Sequence, residues 1–234
     1  PFDMYANYKM NGNLSFRLGQ FRTPSSMENM TAPFKRDLIY EALVSKLIPT
    51  RDYGVGVDAT FLKLSLNAAL INGNGFNRKD DNSKKDGCIN IDWSPTEVAT
   101  FGFGSYLGAN GPDTNVTHYT NFNFHGRLTR AFRYSLKCES SYLKNEQSYD
   151  TSVSYLSGSY FFSLDRKYLQ YVEIIGRYDY EYLTENESDR GIVTLGATFY
   201  PERGYASRFL INYKKDLINN TDASLTLCAF ISLF

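Results

Sequence analysis

The feature that most constrains this chain is a two-residue alternation sustained over lengths that soluble strands seldom reach. From 168 to 182 the even positions read Tyr168, Gln170, Val172, Ile174, Gly176, Tyr178, Tyr180 and Tyr182, and the odd ones include Glu173, Arg177, Asp179 and Glu181. Successive side chains of a strand point to opposite faces, so one face is apolar and aromatic and the other charged. Strands of globular proteins usually run about 5 to 6 residues, whereas a tilted strand that crosses a bilayer needs about 10 and often projects beyond it. A run of about 14 residues favours the membrane.

The same rule recurs along the chain. Residues 53–61 set Tyr53, Val55, Val57, Ala59 and Phe61 against Gly54, Gly56, Asp58 and Thr60. After Leu62 and Lys63, the next segment sets Leu64, Leu66, Ala68 and Leu70 against Ser65 and Asn67. Phe122, Phe124, Gly126 and Leu128 oppose Asn121, Asn123, His125 and Arg127. Phe132, Tyr134, Leu136, Cys138 and Tyr142 oppose Arg133, Ser135, Lys137 and Glu139. Val193, Leu195, Ala197 and Phe199 oppose Thr194, Gly196 and Thr198, and Phe209, Ile211 and Tyr213 oppose Arg208, Asn212 and Lys214. Residues 150–163 carry Tyr and Phe on both faces and leave the choice open.

The alternation predicts about 13 strands, at 2–10, 14–21, 52–61, 64–72, 88–94, 97–107, 116–128, 131–143, 150–163, 167–182, 190–200, 206–216 and 223–234. Their connections sort into short ones (11–13, 62–63, 94–96, the 165–166 region, 201–204) and long ones (22–51, 73–87, 108–115, 144–149, 183–189, 217–222). Outer-membrane barrels alternate periplasmic turns with extracellular loops in this way. The expected fold is all-β, a transmembrane antiparallel β-barrel in the bacterial outer membrane.

Composition agrees. Mean hydropathy is −0.39, and no stretch approaches the roughly 18 consecutive apolar residues of a spanning helix; a barrel needs only every second residue to face lipid. The chain has 19 Tyr and 17 Phe but a single Trp, and Tyr suits a surface half apolar and half wet. With 25 basic and 25 acidic side chains, the global balance points to neither nucleic acid nor an anionic surface. Cys88, Cys138 and Cys228 are too few and too scattered for a disulfide framework or zinc cluster and read as small strand fillers.

The termini add two expectations. The closing Ile231-Ser232-Leu233-Phe234 is similar to the terminal aromatic signature read by the outer-membrane insertion machinery, although Phe234 falls on the opposite parity from the apolar Leu225, Leu227, Ala229, Ile231 and Leu233. If the last strand descends to the periplasm, the first does too. An even-stranded barrel with both termini periplasmic then has an odd number of strands ahead of Pro1, giving 14 or 16 in all.

Residues 22–51 lack clear alternation and are too long for a hairpin, and such loops are usually functional. Helical spacing of Leu38, Ala42 and Leu43 within Asp37–Lys46 predicts a short helix. The loop carries Arg22, Lys35, Arg36, Lys46 and Arg51 against Glu28, Asp37 and Glu41. It can fold into the lumen, or lie over the mouth or against a neighbouring subunit.

The segment Leu18-Gly19-Gln20-Phe21-Arg22-Thr23-Pro24-Ser25-Ser26-Met27-Glu28, then Leu47-Ile48-Pro49-Thr50-Arg51-Asp52-Tyr53-Gly54-Val55-Gly56-Val57, then Asn72-Gly73-Asn74-Gly75, resembles the phosphate-selective porin family of O and P type. The resemblance covers about residues 1–75. It implies a 16-stranded trimeric porin whose long loop narrows the pore, with cationic side chains attracting anions. On the polar faces, Arg17, Lys63, Arg127, Arg133, Lys137, Arg177, Arg208 and Lys214 outnumber Asp58, Glu139, Glu173, Asp179 and Glu181. Such an excess biases a narrow low-dielectric pore toward anions, although interleaved charges also form networks that stiffen a wall.

Enzymatic readings find no constellation. His118 and His125, seven apart on an alternating strand, fall on opposite faces and cannot share a metal; Gly73-Asn74-Gly75 lacks the strand-to-helix setting of a phosphate loop. No cofactor is implied. Two functions remain: a passive channel for small hydrophilic solutes, or a structural barrel anchoring a larger envelope assembly. The partners expected are outer-membrane lipid and lipopolysaccharide, small anions, and further copies in a homotrimer or other envelope proteins.

Overall fold

Thirteen strands pair consecutively in one antiparallel sheet, each with its neighbours in sequence. The computed structural model describes residues 3–32, 35–80, 82–131, 133–146, 149–166, 169–184, 188–201, 207–219 and 223–230. Phe132, Tyr168, the loop residues 185–187, the turn residues 202–204 and the closing Ile231 to Phe234 lie outside them.

In chain order the strands are β1 (Met4–Lys9), β2 (Leu14–Arg22), β3 (Arg51–Phe61), β4 (Leu64–Ile71), β5 (Asp86–Trp93), β6 (Ala99–Asn110), β7 (Thr117–Arg130), β8 (Tyr134–Asn145), β9 (Thr151–Arg166), β10 (Leu169–Leu183), β11 (Ser188–Tyr200), β12 (Arg208–Asp216) and β13 (Ser224–Phe230). The segment expected at 52–61 is thus β3, and that expected at 167–182 is β10. Lengths of 14, 16 and 15 residues for β7, β9 and β10 are those of tilted membrane strands. Among the described residues β1 and β13 do not pair with each other.

Burial is inverted relative to a soluble sheet. Leu136, Leu156, Ile174, Leu195, Phe209 and Leu227 are exposed, whereas Asn123, Glu139, Glu173, Asp179, Thr198 and Asn212 are buried. An apolar face left bare and a polar face covered is the arrangement of a strand set in lipid around a polar interior. Tyr178 and Tyr182 lie on the bare face with Ile174, toward the end of β10. The connection expected to be long at 183–189 is only 184–187, because β10 and β11 pair out to Leu183 and Ser188.

The polar face is covered by the chain's own loops. Residues leaving β2 reach Glu139 of β8, Asp179 of β10, Asn212 of β12 and Thr226 of β13. One 28-residue connection between β2 and β3 reaches strands ten places away only if the sheet curls around it.

That packing resolves the ambiguous 150–163 segment. Leu156, Tyr160 and Phe162 face outward, while Val153 and Tyr155 join Ala42, Leu43, Val44 and Ile192 in a buried cluster. Aromatic and branched residues occupy both faces because the inner one meets an apolar loop. A second cluster joins Phe21 and Ile48 to Ala69, Ile71, Cys88 and Tyr106. All three cysteines are free thiols within strands.

Candidate pore and its inward loop

Among the described residues the stretch 23–50 holds α1 (Met27–Met30) and a 3-10 turn at Leu43–Lys46; Asp37 to Tyr40 are bends, so the helix expected over 37–46 is confined to its last four residues. Ser26 caps α1, its Oγ accepting the Asn29 N–H at 3.0 Å. The first amides of a helix have no partner within it, and here the wall supplies one. Glu139 of β8 accepts the Met27 N–H at 3.0 Å and the Glu28 N–H at 3.1 Å, and Asn123 Nδ2 braces the same carboxylate at 2.7 Å.

Further along, the loop is pinned by both charge signs. Arg36 lies 3.5 Å from Glu28 and pairs with Glu41, and Lys137 of β8 pairs with Asp37. Asn212 Oδ1 accepts the Ile39 N–H at 2.6 Å, Asp179 Oδ1 accepts the Leu43 N–H at 2.9 Å, and the Tyr40 hydroxyl meets Ser224 and Thr226. Burial raises the Glu41 carboxyl, but hydrogen bonding to Arg36 and its charge outweigh that and hold it below the usual carboxylate range. Charged hydrogen bonds of this kind are stronger than neutral ones.

The connection after β4 is held similarly. Asp52 accepts the N–H groups of Gly73 at 2.6 Å and Gly75 at 3.0 Å. Gly73 has φ +96°, and a Cβ there would lie 2.6 Å from the Asp86 carboxylate, so only glycine fits. Asp86 in turn accepts from Tyr106, from Tyr119 at 3.1 Å and from the Ala109 N–H at 3.0 Å.

Beside the loop, facing β5 to β10, lies a cavity of about 980 Å3. Five basic residues line it (Lys35, Arg36, Arg127, Lys137 and Arg177) against four acidic ones, Glu28, Asp37, Asp92 and Glu173.

The thirteen basic residues singled out from the sequence separate by environment. Lys63 is exposed in the turn between β3 and β4, off the wall, and donates to the Pro95 carbonyl at 2.5 Å. Arg17 donates to Asp58 at 2.6 Å and stacks 4.6 Å above the Phe21 ring. Arg22 donates to the Asn29 carbonyl at 2.7 Å, and Arg51 to Asp3 at 2.7 Å. Arg36, Lys137 and Arg177 are paired with carboxylates yet still border the cavity. Lys35 is exposed there, and Arg127 meets the neutral Thr100 hydroxyl at 3.3 Å. Lys214 sits 5.1 Å over the Tyr40 ring, Lys46 is exposed, and Arg208 is buried on β12. Arg133 sits exposed in the turn between β7 and β8, off the wall. Sequence reasoning missed the neutral anchors Asn123 and Asn212, since an Asn on a polar face carries no sign of the amide it will hold.

No family model and no curated protein matches the chain. Solved structures do share its fold. An anion-selective porin from Comamonas acidovorans superposes with a TM-score of 0.69 at 10% identity, covering 97% of this chain and 72% of that one. A porin refined at 1.8 Å gives 0.61 at 11% identity with 96% and 79% coverage, and the outer-membrane OmpT of Vibrio cholerae gives 0.59 at 12% with 88% and 68%. The fold is that of bacterial outer-membrane porins.

Proposed function

We propose that this chain forms a passive diffusion channel of the bacterial outer membrane for small hydrophilic solutes, with a preference for anions. The observation that carries the reading is the loop 23–50, bonded to inward residues of β8, β10, β12 and β13 beside a cavity of about 980 Å3. A loop so placed narrows the lumen, and a narrow low-dielectric passage amplifies a modest charge excess. Arg127 carries most of the bias, because it meets the neutral Thr100 hydroxyl whereas Arg17, Arg36, Arg51 and Arg177 have carboxylates beside them. The resemblance of residues 1–75 to phosphate-selective porins supports both the anion preference and assembly as a homotrimer.

Single-channel recording of the purified full-length protein in planar bilayers tests this: steady ohmic steps are expected. The second reading, a structural barrel anchored in an envelope assembly, draws on the apolar clusters that fill part of the lumen around Leu43, Val44 and Ile48. A correctly folded protein without conductance selects it.

A further inference from the structure

His125 lies on β7 with its side chain almost wholly buried at the cavity wall. Its Nε2 is 2.7 Å from Asp92 Oδ1 and its Nδ1 is 2.9 Å from Asn123 Oδ1. A carboxylate only accepts, so Nε2 donates. The Asn123 amide nitrogen is committed to Glu139 at 2.7 Å, which turns its oxygen toward the ring. The pair is built closely: a Cβ on Gly102 of β6 would lie 2.1 Å from Nε2 and 2.3 Å from Asp92 Oδ1.

We propose that His125 is a positioning residue: held between Asp92 and Asn123, it fixes Asn123 and Glu139 so that they hold the loop at Met27 and Glu28. The connected path runs from Asp92 through His125, Asn123 and the Glu139 carboxylate to the two loop amides. Replacing the ring, or pushing it off Asp92, lets the Asn123 amide turn and takes one donor from Glu139. The inference rests on the porin reading for the loop's place in a conducting path.

The test is hydrogen exchange on the full-length folded protein. His125→Gln and Gly102→Ala, the second of which keeps every charge and sets a methyl group against Nε2 and Asp92, should each speed exchange at Met27 and Glu28 about tenfold. The amides of Ile39 and Leu43, held by Asn212 and Asp179, should keep their rates. Unchanged exchange at Met27 and Glu28 in both variants, or an equal rise at all four amides, overturns the proposal. The readout does not depend on ion flow, so absent conductance would count against the porin reading alone.

Discussion

Arg177 of β10 donates from Nη1 to the backbone carbonyl of Tyr40 at 2.9 Å, so a wall side chain grips the main chain of the inward loop. Its Nη2 donates to the Glu41 carbonyl at 3.0 Å and its Nε to Asp179 at 2.7 Å, with both side chains nearly excluded from water. One guanidinium thus couples a wall carboxylate to two successive loop carbonyls, a use of its fixed fork that lysine cannot reproduce.

Replacing Arg177 with Ala should free this part of the loop and leave Asp179 buried without its cation. Breaking a buried pair by removing one partner costs on the order of 3 kcal/mol, so the midpoint of denaturant unfolding should fall. Single-channel conductance should rise and become noisier. Arg177→Lys should recover only part of the stability.

Cavity cations should differ in their effect on selectivity according to what stands beside them. Arg127→Glu is expected to shift the reversal potential clearly toward cations, because Arg127 meets a neutral hydroxyl and, among the described residues, pairs with no carboxylate. Arg17→Gln should shift it little, because Asp58 already lies 2.6 Å away. Equal shifts would remove the distinction.

The Arg36–Glu41 pair makes loop seating acid-sensitive. Glu41 titrates lower when folded than in an unfolded chain, where a glutamate titrates near about 4.3, so its contribution is complete above that value and is lost as pH falls through the depressed one. Hydrogen exchange in residues 36–45 should therefore quicken below about pH 4, and Glu41→Gln should abolish that acid dependence.

The bare face can be tested by charge. Leu136→Arg or Ile174→Arg, both at exposed positions, should cost about 2 to 4 kcal/mol for folding into vesicles if the position sits at mid-bilayer. Lys144→Gln, at the end of β8, should cost little.

The strands and their faces were legible because a period of two is local: Phe122, Phe124 and Leu128 face outward, and Asn121, Asn123 and His125 inward, as their alternation requires. What the alternation cannot encode is what fills the inside. Val153 and Tyr155 read ambiguously because their partners, Ala42, Leu43 and Val44, lie over a hundred residues away. The basic residues were visible as types, but whether Arg17 is neutralised by Asp58 or Arg127 left beside a hydroxyl depends on tertiary pairing. His125 read as a plain wall residue because neither Asp92 nor Gly102 is near it in sequence.

The central claim, a channel narrowed by its own loop and biased by its lumen charges, is tested most directly by the zero-current potential of the full-length protein in a planar bilayer under a potassium chloride gradient. The potential should be displaced toward that of chloride, by a modest amount because the cavity's five basic residues exceed its four acidic ones by only one. A potential displaced toward that of potassium would contradict it.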